Sequence, residues 1–320
     1  MKNALPGFIA ALFILIVIPA SATADEEAAQ KQKAVLITGA STGLGRAMAE
    51  LLASKGHFVY AGARKDKDIA ELSAIENIQG IRLDVTVQSD IDAAVKTITE
   101  AGRGLYGLVN NAGVGVIYPL IEVDEEEFNF QMDVNLYGPY RVTRAFAPLI
   151  IASKGRITTT GSISGILSGT LFGPYSMSKH AMEAFTDSLA KEMAKFDVKV
   201  SIIEPGNYDS KIGENVLKRM QARNFNPEDS LYREEFAEML AYLGDITSGA
   251  DPVDVAQAAE HALFDANPKR RYLVVPNQEE AGWTINKQIE ELAQLNQGHK
   301  YSYTRDQLVE MLDAALLANP

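Results

Sequence analysis

The 320-residue chain contains no cysteine. Disulfide bridges, thiolate metal sites and cysteine nucleophiles are excluded, and nothing follows about redox compartment. Histidine is scarce. The four, His57, His180, His261 and His299, are scattered with no i,i+4 pair, which argues against a histidine-rich metal centre, so no metal is expected. Positive charge is in deficit: 30 Lys+Arg face 42 Asp+Glu, a net charge of −12. An acidic surface repels phosphate backbones, so nucleic acid is not an expected partner. Apolar runs of membrane-spanning length are wanting too. Phe8–Ile18 is uninterrupted but shorter than the roughly 20 residues a span needs.

What remains is ordinary globular composition, with 47% hydrophobic and 22% charged residues, enough for a sizeable core. The length suits one large α/β domain or two small ones. The first 24 residues stand apart. Lys2 gives a positive start, Phe8–Ile18 an apolar stretch, Pro19 a break, and Ala22-Thr23-Ala24 a small-x-small site before Asp25. This is the three-part pattern of a secretory signal. It implies export to the cell envelope, periplasmic or secreted. An uncleaved anchor, with membrane association through the same segment, and a buried helix stay open. Residues 25–32 are polar and alanine-rich, a tether.

From Lys33 short apolar runs alternate with helical periodicity. Strands are expected at 34–37, 58–60, 81–83, 105–109, 156–160, 198–203 and 272–275. Helices are expected between them, including two within 125–151 and a long one over 176–196. Asp251-Pro252 marks a further helix start. Apolar strands alternating with helices mean a parallel sheet covered on both faces. The expected fold is therefore α/β, a Rossmann-type doubly wound sheet of about seven strands over residues 33–275, with ligands at the strands' carboxyl ends. Residues 276–320 form a C-terminal helical extension. Ile285, Ile289, Leu292 and Leu295 make one stripe. Thr304 and Gln307 suggest a capping box, and Leu308, Met311, Leu312, Ala315 and Leu316 make a second stripe. Such stripes usually pack on the parent domain; a subunit contact or a membrane-surface contact are the other readings.

The first strand runs into Thr38-Gly39-Ala40-Ser41-Thr42-Gly43-Leu44-Gly45, and a helix follows at once. Glycines permit a sharp turn and close approach to a pyrophosphate, while a helix N-terminus offers N–H groups and a positive dipole end. The G-x-x-x-G-x-G spacing resembles the short-chain dehydrogenase/reductase family. "NNAG" (110–113), "VNLYG" (134–138), "TGSISG" (160–165), "YSMSK" (175–179) and "EPG" (204–206) follow in the family's order. The run from Tyr175 to Gly206 resembles the retinol and hydroxysteroid dehydrogenase branch.

Tyr175 and Lys179 lie four apart at a helix start and share a face. A nearby ammonium lowers a phenol's pKa toward neutrality, making a general acid/base. An isolated Y-x-x-x-K is usually a surface pair; the accompanying motifs reverse that here. The resemblance implies the roles. Tyr175 moves the proton on the substrate oxygen. Lys179 lowers its pKa and bonds the nicotinamide ribose. Ser162 orients the oxygen, with Ser164 as competitor. Asn135 props a water in a proton relay. It also implies cofactor contacts from Thr38, Gly39, Ser41, Gly43, Leu44 and Gly45, from Asn110, Ala112 and Gly113, from Asp84 at the adenine, and from Pro205, Gly206 and Ser210. Ser210 stands where the family has threonine.

NAD sites usually carry an acid after the second strand for the ribose 2′-hydroxyl. Here Ala63 occupies that place and Arg64-Lys65 follows. Arginine suits a 2′-phosphate, so NADP is favoured, with NAD the alternative; Ser41 is placed to assist. Asp66 and Asp68 fall two residues too late. The implied activity is alcohol–ketone/aldehyde interconversion on a small, lipophilic molecule. A homo-oligomer is expected. A non-catalytic nucleotide-binding sensor on the same fold is the alternative. Within 207–250, Val216, Met220, Phe236, Met239, Leu240, Tyr242 and Leu243 either line an apolar pocket or form the inner face of two helices. For the N-terminal pattern, sequencing of the mature envelope protein is expected to begin at Asp25. A start at Met1 or Lys2 in a soluble cytoplasmic fraction overturns export.

Overall fold

The four residues of β1 (Ala34–Ile37) are all buried, as a strand covered on both faces requires. Their side chains alternate. Val35 and Ile37 join Met48, Leu52, Ala259 and Leu263 on one face. Ala34 and Leu36 join Ile91, Leu108, Phe146 and Ile150 on the other. Six more strands follow: β2 (Phe58–Ala63), β3 (Ile78–Arg82), β4 (Gly107–Asn110), β5 (Arg156–Thr160), β6 (Lys199–Pro205) and β7 (Arg271–Val274). The computed structural model describes residues 32–245 and 249–318. The sheet order is β3-β2-β1-β4-β5-β6-β7, and every neighbouring pair is parallel. This is the expected doubly wound α/β fold. The winding reverses between β1 and β4, which opens a crevice at their carboxyl ends.

The helices are α1 (Gly43–Ser54), α2 (Asp66–Ser73), α3 (Gln88–Glu100), α4 (Glu125–Met132), α5 (Gly138–Ala152), α6 (Gly173–Met193), α7 (Ile212–Ala222), α8 (Arg233–Asp245), α9 (Val253–Phe264), α10 (Gln278–Leu295) and α11 (Arg305–Ala318). The expected two helices of 125–151 are α4 and α5. No loop separates them: a π-helical turn, Asp133–Tyr137, joins them and turns Asn135 into the interior. Such turns recur at functional sites.

Past β6, Val216, Met220, Phe236 and Met239 bury themselves with Ile117 and Leu171 in a satellite core, with Leu240 against it. They are the inner face of α7 and α8. The side chains of Tyr242 and Leu243 lie outside the described residues. Arg219 grips Glu127 of α4 with two hydrogen bonds, Nε–Oε2 at 2.6 Å and Nη2–Oε1 at 2.8 Å. Its guanidinium also lies 3.5 Å over the Phe130 ring, and Arg223 reaches the same carboxylate at 3.2 Å.

The extension differs from its first expectation. The Thr304–Gln307 capping box forms, with both reciprocal bonds present at 2.9 and 3.3 Å. The stripes do not pack on the parent domain. Ile285, Ile289, Leu292 and Leu295 are 49–75% exposed, and α11 buries no residue. Only the beginning of α10 is buried, at Glu280 and Thr284, with Glu280 on the loop after β6, so the later turns have no core beneath them. No helix among the described residues is long and apolar enough to cross a membrane. The expected signal (1–24) and nearly all of the tether lie outside the described residues.

Glu127 is 1% exposed, and a buried carboxylate stripped of its partner is costly. Arg219→Met should destabilise the protein by about 2 kcal/mol, the remaining Arg223 contact offsetting part of the loss. Adding Glu127→Met should recover most of it. Denaturant melts of the four proteins check this; additive losses would exclude the clamp.

Candidate active site

The carboxyl ends of β1, β2, β4, β5 and β6 enclose a crevice of about 370 Å³. Gly39, Ser41, Gly43, Leu44 and Gly45 form its floor. Gly39 has φ +66°, and a Cβ there would sit 2.8 Å from the Ala112 Cα. Gly43 has φ +53°, with Ser210 Cα only 3.2 Å from where its Cβ would be. Both positions need glycine. The N-cap of α1, Thr42, makes no side-chain cap, and the first turn holds no acid. The N–H groups of that turn lie at the crevice with no acid in the turn itself. The glycine cradle and the uncapped helix fit a dinucleotide's pyrophosphate.

Two expected cofactor contacts lie elsewhere. Thr38 is buried beneath the crevice. Its Oγ1 donates to Val109 O (3.3 Å) and accepts from Asn111 N (2.9 Å) and Ala112 N (3.0 Å). Asn110 points away and donates to Thr143 Oγ1 at 2.8 Å. Successive residues at a strand end face opposite sides, so its neighbour Asn111 reaches the crevice instead. The Asn111 amide donates to Thr38 O (3.0 Å) and Gly39 O (3.1 Å) and accepts from Thr160 Oγ1 (3.3 Å). The "NN" pair in the sequence contained this residue; only the pleat distinguishes the two. Ala112, Gly113, Asp84, Pro205, Gly206 and Ser210 line the crevice as expected, and so do Ile212 and Asn215, which the motifs did not single out.

Tyr175, Lys179 and Ser162 converge on one wall. Ser162 lies at the end of β5, where its Oγ accepts the Ser164 N–H at 3.1 Å and bonds the Tyr175 phenol. Ser164 does not line the crevice. The Lys179 ammonium donates to Thr160 O at 3.0 Å and lies 5.7 Å from the Tyr175 ring centroid. Asn135 sits one layer behind. It accepts from Val114 N (2.8 Å) and donates to Val114 O (3.0 Å) and Ser178 Oγ (3.1 Å).

The electrostatics correct one expectation. The Tyr175 phenol is pushed up by burial, with the Ser162 hydrogen bond pulling the other way. Desolvation disfavours the phenolate and outweighs that hydrogen bond. The same burial drives Lys179 down to about 8, against the upward pull of Glu183 one turn on.

At the ribose end, β2 stops at Ala63 beside Arg82 of β3. Arg64 lines the crevice, its guanidinium 3.9 Å from Asp84. Asp66 is held away by Arg82, which also donates to Arg64 O at 2.7 Å.

A parallel sheet with a glycine cradle at its switch point and a Ser–Tyr–Lys wall opposite defines a dinucleotide-dependent oxidoreductase class. Residues 33–221 match the short chain dehydrogenase model, and the chain belongs to that family. It is 33% identical over 271 residues to mitochondrial D-beta-hydroxybutyrate dehydrogenase of Mus musculus, covering 78% of each chain. It is 34% identical over 268 residues to retinol dehydrogenase 7 of Rattus norvegicus, covering 79% of this chain and 81% of that one. A short chain dehydrogenase/reductase from Burkholderia phymatum, solved in complex with NAD, superposes with a TM-score of 0.69 at 26% identity. It covers 82% of this chain and 95% of its own.

Between pH 8 and 10.5 the unfolded chain keeps the Lys179 proton and the folded chain has released it. Stability should therefore rise with pH across that window. Relative to Lys179→Met, the cofactor-free protein should gain about 3 kcal/mol there. Paired denaturant melts measure the difference; one that stays flat with pH overturns the desolvated-lysine account.

Proposed function

We propose that the protein interconverts an alcohol and a ketone or aldehyde, with NADP preferred to NAD and a lipophilic substrate preferred to a polar one. The observation that carries the proposal is the placing of Tyr175, Lys179 and Ser162 across one crevice from the glycine cradle. The dinucleotide, held by the Gly39–Gly45 turn and the Pro205–Ser210 loop, would supply or accept the hydride. The chain's own groups handle the oxygen. Ser162 orients it. Tyr175 gives its phenolic proton to the oxygen in reduction and takes it back in oxidation. Burial favours the neutral phenol, the form that donates. As the proton leaves, the Lys179 ammonium, anchored on Thr160 O, offsets the developing phenolate charge. Asn135 holds the Val114 segment behind them.

The cofactor preference rests on charge. No carboxylate stands at the end of β2, Arg64 faces the crevice, and Asp66 is neutralised by Arg82. A crevice-facing guanidinium whose contact with Asp84 is a loose 3.9 Å is available to a 2′-phosphate. The substrate preference rests on Val114 and Ile212, apolar residues in the crevice lining, and on the likeness to a retinol dehydrogenase.

Tyr175→Phe should lower turnover about 10²- to 10⁴-fold while dinucleotide binding, read by fluorescence quenching, is kept. Full turnover in that variant would sink the acid/base assignment. Arg64→Ala should shift the NADP/NAD ratio of kcat/KM at least about tenfold toward NAD; an unchanged ratio contradicts the preference. A panel running from short hydroxy acids to long-chain alcohols and sterols tests the substrate class.

A further inference from the structure

We propose that Glu280, in the first turn of α10, is a positioning residue for the loop that walls the cofactor crevice. The inference rests on the dinucleotide reading above. Pro205, Gly206, Tyr208 and Ser210 line the crevice. Their loop can be audited donor by donor. Gly206 N–H bonds Val274 O at 2.8 Å, Tyr208 N–H bonds Gly206 O at 3.1 Å, and Asp209 N–H bonds Ala250 O at 2.9 Å. Asn207 N–H alone among these four goes to a side chain, Glu280 Oε2, at 2.9 Å.

Glu280 is built for that contact. It is 3% exposed, and its other oxygen accepts from Asn277 Nδ2 at 3.1 Å. A Cβ on Gly206 would collide with Oε2, so glycine at 206 leaves room for the carboxylate. Asn277 caps α10 by accepting the Glu280 N–H at 2.9 Å. In a capping box the acid at this position returns to the cap residue's own N–H. Here it is directed 73 residues back along the chain, onto the loop. Burying a carboxylate is unfavourable unless hydrogen bonds and a helix N-terminus offset it. A group needed only to start α10 would not require such burial. Without the carboxylate, Asn207 N–H loses its acceptor and a space opens behind Gly206. The wall of the crevice is then free to relax.

The test uses the full chain, with NADPH as the probe. Glu280→Gln should speed amide exchange at Asn207 and raise the Kd for NADPH about tenfold, the loss of one charge-assisted hydrogen bond. Gly206→Ala should weaken binding at least as much in the wild-type background. Added to Glu280→Ala, it should cost clearly less than in the wild-type background, because the colliding oxygen is gone and only Val275 Cγ1, at 3.0 Å, has to give. A residue that only caps α10 would lower the melting temperature and leave Kd alone. Unchanged Kd in Glu280→Gln, or additive losses in the Gly206/Glu280 pair, overturns the positioning role alone. Failure of the wild-type protein to bind NADPH or NADH overturns the dinucleotide reading, and this role with it.

Discussion

The knot at the switch point holds the site in shape. Thr38 and Asn111 between them occupy backbone groups of β4, the glycine turn and the segment after β4, and Asn111 also meets Thr160 at the end of β5. Parallel strands end with unpaired backbone groups, and a crevice at their ends cannot leave them unanswered. Here two short side chains answer them, and they tie the glycine turn to the segment after β4 from below. The floor that this creates is polar in its backbone and carries no side chain at Gly39, Gly43 and Gly45. A phosphate-bearing ligand can approach such a surface closely.

That knot also decides how far local patterns reveal the site. The glycine turn, Ser162, Tyr175 and Lys179 are legible because each is fixed by its own strand end or helix turn, and the strand order follows from apolar runs that must be covered on both faces. Asn110 and Asn111 are not separable by pattern. Which one faces the crevice depends on the pleat of β4, and the pleat is set by its partners β1 and β5. The Tyr175 phenol shows the same limit in energy. Sequence spacing locates an ammonium near it; how deeply both groups are sunk is set by the fold, and burial raises the phenol and lowers the amine.

Burial of Lys179 gives the site a particular electrostatic character. A desolvated amine beside a desolvated phenol is unfavourable in the cofactor-free protein, where neither group has a full counter-charge. Sites tuned for acid/base work commonly carry such a penalty, and it shows as shifted pKa values. The hydrogen bonds to Thr160 O and Ser162 offset part of it and fix direction. They spend no carboxylate on the lysine, so its charge stays available to the phenol.

The C-terminal extension has two characters, and the division falls inside α10. Its apolar periodicity reads as a core-facing helix, yet the stripe that creates the periodicity is exposed while the buried positions are Glu280 and Thr284. A pattern search weighs hydrophobic residues and so looks at the wrong face. The face that matters is polar, because it meets backbone donors of a loop and not the flank of a strand. Polar burial of this kind has no period to detect. Its one trace in the sequence is indirect, a glycine at 206 where any side chain would displace the carboxylate. The first turn of α10 is thus tied through Glu280 to the loop that lines the crevice, and the exposed stripe begins only beyond Thr284.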